Sequence, residues 1–247
     1  DTHPAVALGE LMRLLVDEHG LGWDEAWTIT GATFAYTNHT LLPEALEKWT
    51  VDLFGSLLPR HLEIVFEINR RFLDEVRTAF PGDDARLARL SLIDESGPRY
   101  VRMAHLAVVG THSTNGVAEI HSNLLRTRLL KDFAEMYPRR FNNKTNGVTP
   151  RRWLLMANPS LARLITEAMG DGWVTDLDQL RALAPLADDA AFRERFLQAK
   201  RQAKIGFAEW LTRSTGQTVD VDTLFDSQIK RIHEYKRQLL NILHTVV

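Results

Sequence analysis

The 247-residue sequence contains no cysteine. This absence excludes a disulfide framework, a zinc site built on thiolates and a cysteine nucleophile, and it fits a reducing compartment. The sequence also lacks a large excess of positive or negative charge, because it contains 30 Lys and Arg residues and 32 Asp and Glu residues. A dedicated nucleic-acid-binding protein would carry a basic excess, so we expect no nucleic-acid partner.

Long apolar runs and several common catalytic motifs are missing as well. No apolar stretch approaches the ~20 residues that span a bilayer, so we expect no membrane insertion. The sequence has no P-loop, no Gly-rich dinucleotide loop and no Gly-x-Ser-x-Gly elbow. His105, His112 and His121 lack the spacing of metal ligands, and we expect no metal site.

The residues that are present predict a helix-rich α/β fold. Hydrophobic residues make up 45% of the chain and charged residues 25%, which is typical of a globular protein. The clearest helix is predicted over Arg60–Phe80, where apolar residues recur at 3.6-residue spacing. The apolar run Val101–Val109 predicts a buried strand, and Leu224–Ile229 predicts another that leads into a helix near His233.

The two ends of the chain resemble the interior of a longer protein. The first residue is Asp1 rather than Met, and the last nine residues, 239–247, are mostly apolar. Native termini usually end in polar residues at the surface. We therefore expect a fragment of a larger protein, with a boundary between its parts in the polar stretch Arg139–Asn146.

A basic cluster near the end of the sequence is the sharpest candidate site. Lys230, Arg231, Lys236 and Arg237 lie within eight residues, where the predicted strand meets the predicted helix. Cations at a helix N-terminus are unfavourable unless an anion binds beside them, because the N-terminal end of the helix dipole carries a partial positive charge. The pattern predicts a phosphate site in which Arg231 can form two hydrogen bonds, and a solvated basic face is the alternative.

Two further segments could orient a sugar. In 145–153, Asn146 can donate to and accept from a hydroxyl, and Trp153 offers a flat apolar wall. A capped turn followed by a core tryptophan is the alternative interpretation of that segment. In 36–40, His39 could orient a hydroxyl or shuttle a proton, and a purely structural histidine is the alternative.

Taken together, six blocks of this sequence resemble the glycogen/starch/maltodextrin phosphorylase family. The blocks occur in the family's order along the whole chain, at residues 1–4, 36–47, 58–61, 115–117, 145–153 and 230–237. The resemblance implies two Rossmann-like domains of the glycosyltransferase B architecture. On that basis, 1–143 would be the C-terminal part of the first domain and 144–247 the start of the second, truncated domain.

The resemblance also implies an activity, a cofactor and a cellular setting. Family members use pyridoxal 5′-phosphate and inorganic phosphate to cleave the terminal bond of an α-1,4-glucan, releasing α-glucose 1-phosphate. The cofactor acts through its phosphate group rather than its aldehyde. The parent protein would be a cytoplasmic homodimer.

Roles for individual residues follow from the same resemblance. Arg231 and Lys236 would be catalytic, holding the substrate phosphate beside the cofactor phosphate. Lys230 would hold the cofactor phosphate, and Trp153 would line the cofactor pocket. The expected sugar-binding residues are His39 and Asn146 at O6, Tyr235 at another edge, and Asp1, His3, Thr40 and Val117 near the anomeric side.

The family's Schiff-base lysine has no counterpart in this sequence. It lies in a glycine-rich segment, and none of the seven lysines here is in such a segment. We therefore expect the isolated chain to be inactive. A nucleotide-sugar-dependent glucosyltransferase of the same fold and a non-catalytic glucan-binding scaffold are the alternative functions.

Overall fold

A computed structural model describes residues 1–43 and 46–246, so Glu44 and Ala45 of the 36–47 block lie outside the described residues. The chain divides into two compact units, Asp1–Asn146 and Gly147–Val247. Helices and small sheets occur together, which confirms the α/β class. The assignment of 1–143 and 144–247 to two Rossmann-like domains stays a prediction.

The first unit contains eight α-helices and six short strands among its described residues. The helices are α1 (Val6–Arg13), α2 (Trp23–Thr33), α3 (Val51–Leu57), α4 (Pro59–Ala79), α5 (Asp84–Leu90), α6 (Met103–Val109), α7 (Glu119–Leu124) and α8 (Lys131–Met136). The strands are β1 (Tyr36–Thr37), β2 (Lys48–Thr50), β3 (Ile93–Asp94), β4 (Tyr100–Arg102), β5 (Thr114–Gly116) and β6 (Phe141–Asn143). Strands β2, β4 and β3 form an antiparallel sheet.

The other sheet is parallel and has the order β1-β5-β6. Its register pairs Tyr36 with Thr114, and Thr114 with Phe141. Parallel neighbours need a crossover between them, and α7 and α8 provide it between β5 and β6. This βαβ unit places the carboxyl ends of all three strands at one edge.

Helix α4 supplies much of the core of the first unit, and the predicted Arg60–Phe80 helix is confirmed. Its inward stripe is fully buried and consists of Ile64, Val65, Ile68, Phe72 and Val76. The stripe packs in one apolar cluster with residues of α1 and α6. A spacing of three and four residues brings these side chains onto one face of the helix. This spacing is visible in the sequence, so the pattern alone was sufficient to predict the helix.

The strand predicted over Val101–Val109 is wrong. Only Tyr100–Arg102 is extended, and helix α6 begins at Met103. Every residue of α6 except His105 is buried. A helix that is apolar all round shows no 3.6-residue periodicity, so a short buried helix and a buried strand have the same sequence signature.

The second unit is helical in its described residues. It contains α9 (Pro159–Met169), α10 (Ala190–Thr215) and α11 (Gln238–Val246), together with π-helical residues Arg151–Met156 and short 3-10 segments. Trp173 is completely buried beside Ala162 and Ile165, and its indole Nε1 donates to Thr166 Oγ1 at 3.1 Å.

The strand predicted over Leu224–Ile229 is also wrong. These residues are irregular, and Leu224 and Ile229 are 99% and 92% exposed. A strand needs a hydrogen-bonding neighbour, and the described residues of this unit contain no other strand. The helix expected near His233 begins at Gln238, after a 3-10 turn at Glu234–Lys236. No helix within 1–43 and 46–246 is at once long and apolar enough to cross a bilayer.

Candidate functional site

Three polar loops leave the carboxyl edge of the parallel sheet. His39 and Thr40 follow β1, Val117 follows β5, and Asn146 follows β6. Open α/β sheets bind their ligands at this edge, because the loops after parallel strands gather there. The structure therefore places these four sequence-predicted residues on neighbouring loops.

Backbone hydrogen bonds continue past the ends of the strands and join the three loops to one another. Asn38 N–H donates to the Asn115 carbonyl at 2.9 Å, which joins the first loop to β5. Asn146 N–H donates to the Val117 carbonyl at 2.9 Å, which joins the third loop to the second. The positions of these loops are consequently coupled to one another.

The side chain of Asn38 holds the first loop in place through two hydrogen bonds. It is buried, its Nδ2 donates to the Tyr36 hydroxyl at 3.1 Å, and its Oδ1 accepts the Thr40 N–H at 3.1 Å. Burial raises the pKa of Tyr36, so the phenol keeps its proton. Asn38 thus fixes the backbone on both sides of His39.

His121, on α7, lies between the first and second loops. Its Nε2 is 3.1 Å from Asn38 Oδ1, and its Nδ1 accepts the Val117 N–H at 3.0 Å. Desolvation, and then the nearby His39, lower the pKa of His121, which favours the neutral ring. Sequence reasoning considered His121 only as a metal ligand and did not single out Asn38. The sequence signal that could have indicated a role for Asn38 in the site was its position as a polar residue next to a strand end.

The predicted ligand-binding side chains on this edge point to solvent or are partly covered. His39 and Asn146 are exposed, and neither side chain makes a hydrogen bond within the described residues. Thr40 and Val117 are half-buried, and Thr40 Oγ1 accepts the Leu42 N–H at 3.1 Å. His39 and Asn146 therefore keep their hydrogen-bonding capacity for a ligand.

Asp1 and His3 are occupied with other partners. Asp1 Oδ1 accepts the Thr2 N–H at 2.7 Å, and His3 Nδ1 lies 2.8 Å from Glu47 Oε2. Among the described residues, no hydrogen bond joins either side chain to the three loops. The structure does not bring them into the hydrogen-bonded group.

The basic cluster lies in the second unit, on an irregular segment and a short turn. Lys230 and Arg231 are exposed, while Tyr235 and Lys236 lie on the 3-10 turn. Lys236 Nζ is 4.6 Å from the centre of the Tyr235 ring. The strand predicted before this cluster is absent, but helix α11 begins at Gln238, directly after Arg237, so the cluster still precedes a helix N-terminus.

Trp153 is on the π-helical residues Arg151–Met156 and is 65% exposed. The alternative interpretation of Trp153 as a core residue is therefore wrong, and Trp173 is the core tryptophan of this unit. An exposed indole face can cover an aromatic ring, and the Lys230 ammonium can bind a phosphate. The chemistry of these two side chains fits a phosphorylated aromatic cofactor. Nowhere in 1–43 and 46–246 do three or more His, Asp or Glu side chains group as metal ligands.

A parallel sheet with polar loops gathered at its carboxyl edge defines an α/β protein with the arrangement at which such sheets bind ligands. The sequence matches the carbohydrate phosphorylase family over residues 1–247, and the chain belongs to that family.

Curated relatives match along the whole chain. Glycogen phosphorylase of Synechocystis sp. is 59% identical over 246 residues, 100% of this chain and 29% of the relative. The muscle forms of glycogen phosphorylase from Oryctolagus cuniculus and Homo sapiens are 54% and 53% identical, with the same coverage of 100% and 29%. The chain thus spans 29% of the length of these relatives.

Proposed function

We propose that this chain is an internal segment of an α-1,4-glucan phosphorylase. The intact enzyme transfers the terminal glucosyl unit of a glucan to inorganic phosphate and releases α-D-glucose 1-phosphate. Family membership and the names of the relatives support this activity. One structural observation carries it furthest: the loops that hold His39, Val117 and Asn146 are hydrogen-bonded to one another at a ligand-binding sheet edge.

The first unit orients the sugar in the proposed reaction. His39 and Asn146 hold the glucosyl O6, and Thr40, Val117, Asp1 and His3 lie toward the anomeric side. The exposed imidazole and amide suit this role because neither side chain has a hydrogen-bond partner among residues 1–43 and 46–246. Holding the sugar in one orientation reduces the entropy that must be lost on reaching the transition state.

The second unit binds the anions in the proposed reaction. Arg231 and Lys236 hold the substrate phosphate, and Tyr235 contacts another edge of the sugar. Two phosphate dianions in contact repel strongly unless cations surround them, and this cluster supplies the cations. A phosphate oxyanion then stabilises the developing oxocarbenium ion, where a glycosidase would use a carboxylate.

Pyridoxal 5′-phosphate is the cofactor of this proposal. Lys230 would hold its phosphate and Trp153 would cover its ring, and the bound group would supply a phosphate able to exchange a proton with the substrate phosphate. Its Schiff-base lysine is not in this chain. The intact protein would be a cytoplasmic homodimer of the glycosyltransferase B architecture, with 1–143 and 144–247 in its two Rossmann-like domains.

The activity is tested with the full-length protein that contains this chain, loaded with pyridoxal 5′-phosphate. We expect glucose 1-phosphate from maltodextrin and phosphate, and no glucosyl transfer from a sugar nucleotide. We expect neither reaction from the isolated 247 residues. Transfer from the nucleotide alone would identify a glucosyltransferase, and glucan binding without either reaction would identify a scaffold.

Asn146→Ala tests the assignment within the same assay. Loss of one hydrogen bond to the sugar lowers kcat/KM roughly tenfold, because about 1.4 kcal/mol is a factor of ten. Asn123→Ala is the matched control, since this asparagine on α7 is exposed and its side chain makes no hydrogen bond within the described residues. Equal activities of the two variants would contradict the role of Asn146.

A further inference from the structure

We propose that His121 is a positioning residue that sets the enzyme's selectivity for the glucosyl O6, although it does not touch the sugar. The inference depends on the phosphorylase activity proposed above and on the roles of His39 and Asn146 in it. It deepens that function by naming the group that holds both residues in place. The argument uses hydrogen bonds within the first unit alone.

The imidazole joins two of the three loops directly. At one end of the ring, Nε2 is 3.1 Å from Asn38 Oδ1. The same Oδ1 accepts the Thr40 N–H at 3.1 Å, so this oxygen fixes the backbone on the far side of His39. At the other end, Nδ1 is 3.0 Å from the Val117 nitrogen.

The two contacts define the protonation state of the ring. A backbone N–H can only donate, so Nδ1 must present its lone pair to Val117 and carries no proton. Nε2 then carries the proton and donates to Asn38 Oδ1. A neutral imidazole makes this donor–acceptor bridge, and its lowered pKa agrees with the neutral form.

The bridge extends to the third loop through the backbone. The Val117 carbonyl accepts the Asn146 N–H at 2.9 Å, so a displacement of Val117 is transmitted to Asn146. His121 thus connects the loop of His39 with the loop of Asn146. Loss of the ring would disturb two side chains proposed to bind one hydroxyl group.

Close packing beside the ring shows that its position is strictly constrained. A Cβ added at Gly116 would lie 2.7 Å from His121 Nδ1 and 2.8 Å from Ser122 Cα. Real Cβ contacts do not come within 3.0 Å. Glycine at the end of β5 therefore allows α7 to approach the sheet edge and present His121 to both loops.

The test measures the selectivity of the full-length, cofactor-loaded enzyme in the direction of chain extension. The probes are glucose 1-phosphate and 6-deoxyglucose 1-phosphate, and the readout is the ratio of their kcat/KM values. The wild type should favour glucose 1-phosphate. His121→Phe keeps an aromatic ring but removes both hydrogen bonds, and it should lower the ratio roughly tenfold.

A ratio separates positioning from a loss of folded protein, because a smaller active fraction lowers both rates equally. His121→Asn should recover part of the selectivity, since its Oδ1 can accept the Val117 N–H in place of Nδ1. His19→Phe is the matched control, because His19 is exposed at the end of the first helical segment and should leave the ratio unchanged.

The outcomes distinguish this inference from the proposed function. A wild-type enzyme that produces no glucose 1-phosphate from glucan and phosphate refutes the proposed function itself. An active wild type whose selectivity is unaltered by His121→Phe overturns the positioning role alone. An active wild type that does not discriminate between the two donors also overturns it.

Discussion

Substitution of Gly116 by alanine tests the close packing between β5 and α7. The added Cβ would clash with Ser122 Oγ, and it would lie 2.7 Å from His121 Nδ1 and 2.8 Å from Ser122 Cα. The Ser122 Cα is helix backbone and cannot rotate away as the end of a side chain could. Restoring a 3.4 Å contact requires a displacement of α7 by about 0.6 Å.

Two effects determine how much Gly116→Ala lowers the free energy of unfolding. Overpacking of this kind destabilises a fold by about 1–3 kcal/mol. Ser122 Oγ also donates to Asn143 Oδ1 at 2.8 Å, and the clash displaces that hydroxyl. Loss of one such bond adds about 1 kcal/mol. We therefore expect Gly116→Ala to lower the free energy of unfolding by about 2–4 kcal/mol.

The assay is urea unfolding of the 247-residue chain, followed by tryptophan fluorescence. Gly31→Ala is the matched control, because Gly31 is inside α2 and an added Cβ would meet nothing within 4 Å. That substitution should stabilise the chain by about 0.5–1 kcal/mol, the helix-propensity gain of alanine over glycine. A Gly116→Ala variant as stable as the parent chain would refute the packing argument.

Two other predictions concern stability. Burial, and then Arg102, lower the pKa of His105 to about 4, below an unfolded value near 6.5. The unfolded chain therefore binds more protons between these values, and stability falls by at most about 3 kcal/mol as pH drops from 6.5 to 4. His105→Asn keeps a donor for the Ser91 carbonyl, which lies 3.0 Å from Nδ1, and should flatten this pH dependence in urea titrations; an unchanged slope would contradict it. Trp173→Ala should cost about 3–5 kcal/mol, whereas exposed Trp153→Ala should stay within about 0.5 kcal/mol, as measured by chemical denaturation. Equal losses in the two tryptophan variants would refute the burial argument.

The predictable parts of the fold are those whose signal is local. The spacing of apolar residues in α4 fixed its limits to within one residue, because an amphipathic helix shows its period in the sequence. The segments containing His39 and Asn146 are identifiable from their residues as candidate sugar-binding motifs, whereas Val117 is singled out only by the family resemblance. Their membership in one candidate site rested on resemblance to a family, and their position on adjacent loops agrees with it.

The two wrong strand predictions concern segments whose secondary structure depends on contacts with other parts of the chain. Helix α6 is buried on all sides, so its sequence carries no period that separates helix from strand. Leu224–Ile229 has the composition of a strand, but no strand among the described residues of its unit pairs with it. Backbone hydrogen bonds to another segment define a strand, and composition does not reveal them.

The sequence by itself determined which polar side chains are available and where the amphipathic helix lies, because both depend on residues close together in the chain. Tertiary structure decided that His121 contacts Asn38, 83 residues away, and that it also accepts the Val117 N–H. Parallel pairing of β1, β5 and β6 brings these loops to one edge, and a hydrogen bond requires atoms within about 3 Å. Sequence spacing does not encode that distance.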